Sequence, residues 1–242
     1  MDFAQYWFSD LAAGPAPGGD DPGDPIANSL RFRGAQKLER TLTSTTINDW
    51  TYSFWFKPSG RLVAGSFCGL VSETNGWLGV YPNTNGSFYA FYNTTGENLN
   101  LTTPSVYRDY SAWYHVVYSR SNGIHVNGVA ISNSTPASAK VTALFLLGNA
   151  ASSHQFDGYM ADVHFIDGQA LDPTTFGRFN ANDVWVPVDP KKDGDTIWYG
   201  TNGFHLTFAD PASVGKDYSG NGNDFTATGF ETANQTSPLY DI

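Results

Sequence analysis

A glycoside hydrolase needs two carboxyl groups flanking one bond, one to donate a proton and one to attack or to activate water. The sequence holds four glutamates, Glu39, Glu73, Glu97 and Glu231, and no two lie within a strand's length of each other. Neither a Gly-x-Ser-x-Gly elbow nor a His-Glu-x-x-His pair is present, so serine-hydrolase and zinc-protease chemistry have no foothold. Oxygen ligands are better grouped. Asp217, Asn221, Asn223 and Asp224 share one glycine-containing loop, and Asp157 and Asp162 flank a strand start. Calcium takes about six to eight such oxygens, yet Asn221-Gly222 also makes a tight turn whose side chains bond their own backbone. Both readings stand. The five histidines are scattered, His115, His125 and His164 on strands, with no transition-metal spacing.

Sugar recognition is the third chemistry the residues offer. Trp77, Tyr81, Asn83, Asn85, Tyr89 and Tyr92 lie on and around a hairpin. Aromatic rings stack on the apolar face of a pyranose while asparagine bonds its hydroxyls. Aromatics alternating on strands also build sandwich cores, so this cluster has two readings as well. Cys68 is the single cysteine; it excludes an intrachain disulfide and reads as a small buried hydrophobe.

Positioning these groups falls to a chain of 242 residues with 40% hydrophobic and only 15% charged residues. Aromatics equal the charged fraction at 15%. The net charge of −10 comes from 13 Lys and Arg against 23 acids, 19 of them aspartate. Aspartate favours turns, so the negative charge belongs to connections. A chain without a cationic stripe is a poor partner for nucleic acid or anionic membranes. Residues 1–10 carry no Lys or Arg, so no secretory n-region is expected. The longest apolar stretch, residues 141–147, is too short for membrane insertion.

From Asn28 the apolar period is two, as in Tyr52-Ser53-Phe54-Trp55-Phe56-Lys57 and Ala161-Asp162-Val163-His164-Phe165. Nine Asn-Gly or Asp-Gly pairs punctuate the strands, a hairpin signal because a type I′ turn needs positive φ at both central residues. One short helix is expected near Asp172-Pro173-Thr174-Thr175-Phe176, with Asp as cap and Pro at the first position. The pattern predicts an all-β fold, an antiparallel jelly-roll-like β-sandwich over residues 29–242, with 190–242 supplying the final strands. Residues 1–28 form an extended N-terminal arm: Phe3, Tyr6, Trp7 and Phe8, then a Gly/Pro linker. Those rings either fold back on their own domain or dock as an assembly anchor on another protein.

The series Ser29-Leu30-Arg31-Phe32-Arg33-Gly34, Tyr52 to Pro58, and Trp113-Tyr114-His115-Val116-Val117-Tyr118 resembles the concanavalin A-like lectin/glucanase superfamily, in its laminin-G and pentraxin-like branch. So do the hairpin Gly123-Ile124-His125-Val126-Asn127-Gly128 and the run from Phe156 to Leu171. The superfamily's glucanases use paired Glu on one strand face, which this chain lacks, so the resemblance implies a binding domain rather than an enzyme. Calcium is the cation such domains often hold. A second block, Trp198 to Asp210 followed by Asp217 to Thr226, is similar to a module of virion proteins of marine tailed phages of the cyanophage type. That resemblance implies a virion knob, fibre or capsid-decoration subunit, made in the host cytoplasm. Its partners are other virion proteins, host-surface polysaccharide and a homo-oligomeric copy. The alternative is a free calcium-dependent lectin.

Overall fold

The computed structural model describes residues 26–43, 49–59, 69–73, 76–82, 85–93, 98–132, 144–151, 154–190 and 197–230. Two seven-stranded antiparallel sheets pack face to face. Sheet A holds β1 (Leu30–Arg33), β3 (Trp50–Pro58), β8 (Tyr114–Ser119), β9 (Gly123–Val126), β10 (Val129–Ser132), β14 (Asp157–Asp167) and β17 (Phe204–Leu206). Its order is β1-β14-β3-β8-β9-β10, with β17 beside β1 along the same edge of β14. Sheet B holds β2 (Lys37–Thr41), β4 (Gly69–Glu73), β5 (Gly76–Pro82), β6 (Phe88–Asn93), β7 (Asn98–Thr102), β11 (Leu144–Leu147) and β18 (Thr226–Thr228). Its order is β18-β2-β11-β4-β5-β6-β7. Two small hairpins, β12 (Asn149–Ala151) with β13 (His154–Gln155) and β15 (Gly177–Phe179) with β16 (Trp185–Pro187), complete the described strands.

The aromatic excess is spent between the sheets. Phe54 and Phe56 from sheet A and Phe88 and Phe145 from sheet B are all at most 1% exposed. Their rings meet edge to face, Phe56 with Phe88 at 5.1 Å and Phe145 with Phe204 at 5.0 Å. Each such ring contributes roughly 1.5–3 kcal/mol of burial, plus about 0.5–1.5 kcal/mol where the pair is T-shaped.

Sheet A is buried on its other face too, which the period-two pattern alone does not anticipate. Trp55, Trp113, Ala161 and Trp185 form one outer cluster, and Val117, Ile166, Phe176 and Tyr199 another. The cover includes the β15–β16 hairpin and Tyr199. The expected helix is a single 3-10 turn, Pro173–Thr175. Asp172 caps it by accepting from the Thr174 backbone N–H at 2.9 Å, and β15 begins two residues after it, at Gly177.

Of the described turn dipeptides, Asn127-Gly128 alone has both φ values positive, 48° and 75°. It closes the β9–β10 hairpin as a type I′ turn. Asp157-Gly158 is not a turn: it lies inside β14, where a Cβ at 158 would stand 2.5 Å from the Lys57 carbonyl of β3. At Gly128 a Cβ would stand 2.2 Å from the Trp185 ring. Gly128→Ala is therefore expected to lower stability by about 1–3 kcal/mol, by strain and overpacking together. Urea denaturation of the two proteins measures it.

Candidate functional site

The outer face of sheet A carries a polar row. Strand register aligns His125 of β9, Val117 of β8, Ser53 of β3, His164 of β14 and His205 of β17 side by side. The row depends on an irregularity. On β14, Ala161 pairs with Trp55 and His164 with Ser53, so Asp162 and Val163 oppose only Phe54. This bulge turns Ala161 and His164 outward while Met160 and Val163 enter the core. Asp162 absorbs the extra residue with φ 47°, the left-handed region that asparagine and aspartate tolerate better than most residues.

The bulge delivers the Asp162 carboxylate to both neighbouring rings. His205 Nε2 lies 2.7 Å from Asp162 Oδ1 and His164 Nε2 lies 3.1 Å from the same oxygen. The two imidazoles stack, with centroids 3.9 Å apart and planes 18° from parallel. Burial alone would raise the Asp162 carboxyl, but the polar N–H groups that His164 and His205 turn toward it hold it well below the usual carboxylate range. An ionised Asp162 assigns protons to the facing Nε2 atoms. His164 Nδ1 then accepts from the Tyr199 hydroxyl at 2.9 Å. Burial, together with the charges of Asp162, Asp189 and Asp217, raises Tyr199 above the ordinary phenol range, so that hydroxyl keeps its proton.

A second buried histidine completes the layer. Trp185 Nε1–H donates to His115 Nδ1 at 2.9 Å, leaving His115 Nε2–H to donate to Ser53 Oγ at 2.8 Å. Burial pushes the His115 imidazole down to about 3, so it is a neutral bridge.

Asp162 and His205 open onto a cavity of about 470 Å³. One wall is Ile26–Asn28, another runs from Pro187 to Pro190, and Thr207 and Tyr218 close it. His205 is fixed through its backbone: its N–H donates to Asp217 Oδ1 at 2.9 Å, and its carbonyl accepts from the Tyr218 N–H at 2.8 Å.

The loop singled out for calcium is thereby accounted for. Asp217 Oδ1 accepts from the backbone N–H of His205 and Ser219, and Oδ2 from Ser219 Oγ and the Asn223 N–H. Asp224 Oδ1 accepts from the Asp217 N–H. Asn221 and Asn223 each donate to the Gly203 carbonyl, and Asn223 Oδ1 accepts from Arg40 of β2. Both Asp217 oxygens are committed to protein donors, the geometry of the self-bonded turn rather than of an open cation cage. Asp157 and Asp162 do not flank one strand start either. Both lie within β14, and Asp157 pairs with Arg31 at 2.6 Å.

The glycan residues are divided by register. Tyr81 pairs with Tyr89 and Trp77 with Asn93, so positions 77, 81 and 89 share one face of sheet B. Tyr92 pairs with Leu78, on the face of buried Phe88 and Ala90. Asn85 accepts from Ser87 N–H and Oγ–H and, through its carbonyl, from Arg108 Nε. Asn83, Cys68 and the anchor residues Phe3, Tyr6, Trp7 and Phe8 lie outside the described residues. The Asp162–His164–His205 group was hidden from spacing, because 43 residues separate Asp162 from His205. The one available signal was a polar pair, Asp162 and His164, interrupting the apolar middle of β14 between its terminal aspartates.

Residues 33–175 match the family described as the concanavalin A-like lectin/glucanases superfamily, laminin-G type. No curated protein matches the sequence. Among solved structures, a candidate carbohydrate binding protein from Bacteroides ovatus is similar at TM-score 0.55 and 15% identity, over 84% of this chain and 58% of that one. Domain 4 of AbnA, a GH43 extracellular arabinanase from Geobacillus stearothermophilus solved with arabinotriose, is similar at TM-score 0.51 and 18% identity. That match covers 68% of this chain and 81% of the domain. At these identities the likeness is one of fold.

Asp217→Ala strips the acceptor from four donors and is expected to cost about 2–5 kcal/mol. The loss should be the same in excess calcium and in chelator. Thermal melts under both conditions check it; a loss confined to the calcium condition would make the loop a cation site.

Proposed function

The chain belongs to the concanavalin A-like lectin/glucanases superfamily, and from that premise we propose that it is a non-enzymatic phage virion subunit whose sandwich recognises host-surface polysaccharide. The observation that carries glycan recognition is the chemistry of the cavity. Asn28, Asp162, Asp189, His205, Thr207 and Tyr218 face it together. Carboxylates, an amide, a hydroxyl and a phenol match the alternating donors and acceptors of sugar hydroxyls. The volume falls within the range of roughly 300–1,000 Å³ typical of small-ligand sites. Two aspartates in the wall favour a neutral sugar over an acidic one.

The carboxylate geometry supports binding without cleavage. Glu39 stands across Leu146 from Leu70, and Glu73 lies three residues further along β4. The odd offset puts positions 39 and 73 on opposite faces of sheet B, where they cannot flank one glycosidic bond. Glu39 is also engaged by Lys37 at 2.7 Å.

The virion assignment rests on the sequence of residues 198–226 and on the arm, with Phe3, Tyr6, Trp7 and Phe8 docking on a neighbouring virion protein. The knob, fibre and decoration roles all need such an attachment. Trp77, Tyr81 and Tyr89, on one sheet face, are a second surface for a polysaccharide chain. A free calcium-dependent lectin is the less favoured reading, because residues 217–224 already satisfy one another.

Affinity electrophoresis of the full chain through gels of host-surface polysaccharide tests the binding role. Retardation is expected with no release of reducing sugar, and Asp189→Ala with Asn28→Ala should weaken it about tenfold. Absence of retardation on every polysaccharide of a susceptible host would remove the glycan role. Absence of the chain from purified particles by mass spectrometry would remove the virion role.

A further inference from the structure

We propose that Asp162, His164 and His205 bind a divalent transition-metal cation of the zinc class in the cavity wall, a site distinct from the 217–224 loop. Two imidazoles and one carboxylate are the donors such cations prefer, whereas calcium and magnesium select oxygen alone. The three candidate ligand atoms all lie within 4.8 Å of one another. Both ring nitrogens already converge on a single oxygen, at 2.7 and 3.1 Å.

Bonds of about 2.0–2.1 Å in a tetrahedral sphere place ligand atoms roughly 3.3–3.4 Å apart. Entry of the cation therefore lengthens the His205 contact to Asp162 by roughly 0.6–0.7 Å and the His164 contact by roughly 0.2–0.3 Å. As the cation takes each Nε2, the neutral ring keeps its one proton by carrying it on Nδ1 instead, so no net proton is lost from either imidazole.

The surroundings are those of a supported ligand set. His164, 0% exposed, has its far nitrogen 2.9 Å from the Tyr199 oxygen; with Nε2 on the metal, Nδ1–H donates to that oxygen, the outer hydrogen bond that orients a metal-bound imidazole. His205 is held through its backbone by Asp217 and Tyr218. Asp162 sits on the bulge with φ 47°, the kind of local backbone strain that gathers at ligand sites. Because Asp162 and His205 line the cavity, the fourth position faces it and takes water or a ligand hydroxyl.

The inference stands apart from the glycan reading, since a cation binds here whether or not a sugar does. Chelator-treated full chain, dialysed against zinc alone, should take up a single ion and melt at a higher temperature. Cobalt should give the visible ligand-field absorption of a low-coordinate nitrogen–oxygen site. Asp162→Asn keeps a residue that tolerates the left-handed backbone, and His205→Ala removes one ring; each should weaken zinc binding at least tenfold. Melting in chelator verifies that both variants fold. His125→Ala, in the same row but remote from the cavity, should bind as the parent does. Zinc uptake unchanged in both Asp162→Asn and His205→Ala, or no uptake by the parent chain, would overturn the proposal. Polysaccharide retardation persisting in that case would leave the glycan role intact.

Discussion

The contact between the Asp162 carboxylate and the rings of His164 and His205 is the constraint around which the outer half of sheet A is organised. A carboxylate this enclosed is tolerable only when paired and hydrogen-bonded, because removing either partner leaves a buried charge. Pairing requires the carboxylate to leave the regular pleat, which the bulge provides. The bulge also fixes which residues of β14 enter the core, since Val163 takes the inward place that a regular strand would give to Asp162. The same extra residue that creates the polar site therefore keeps Phe165 and Val163 in register with the hydrophobic interior.

With that contact in place, the outer face is polar at its centre and needs a roof. Trp185 and Tyr199 supply it, each presenting an aromatic body to an apolar cluster and one polar atom to a histidine. Such networks are worth most when every member is satisfied, because a half-satisfied buried polar group is costly in a low dielectric. His115 is satisfied on both ring nitrogens, one accepting from Trp185 and one donating to Ser53. Burial of sheet A on both faces follows from this arrangement. It explains why Ser53 and His164, polar residues in the expected solvent-facing positions, are fully buried.

The sandwich was legible because its core writes a period of two into β3, β8 and β14, and because Asn127-Gly128 has the one pair of residues that a type I′ turn demands. The cap and first residue of the 3-10 turn were legible for the same local reason. The second layer was not, since Trp185 and Tyr199 belong to segments without periodicity and their partners are strands far away in sequence. The 217–224 loop was visible as a group of Asx residues, but their composition is shared by cation loops and self-bonded turns. Only the destinations of the donors around Asp217 separate the two. The histidine pair was invisible, because cross-strand neighbours on β14 and β17 carry no common spacing.

The loop and the histidine site are nonetheless one device. Asp217 uses one oxygen to fix the backbone of His205 and the other to fix Asn223, while Asn221 and Asn223 grip the carbonyls of residues 200–203 that lead into β17. Arg40 of sheet B donates to the Asn202 carbonyl between them and to Asn223, so β17 is tied to both sheets although it is only three residues long. A strand that short gains little from its own ladder, and the ring it carries would wander without those bonds. The acidic loop therefore immobilises His205 against Asp162. The opposite wall of the cavity, Ile26–Asn28, is where residues 1–25 join the sandwich. An occupant of the cavity would therefore touch both the β17 wall, held by the acidic loop, and the segment Ile26–Asn28.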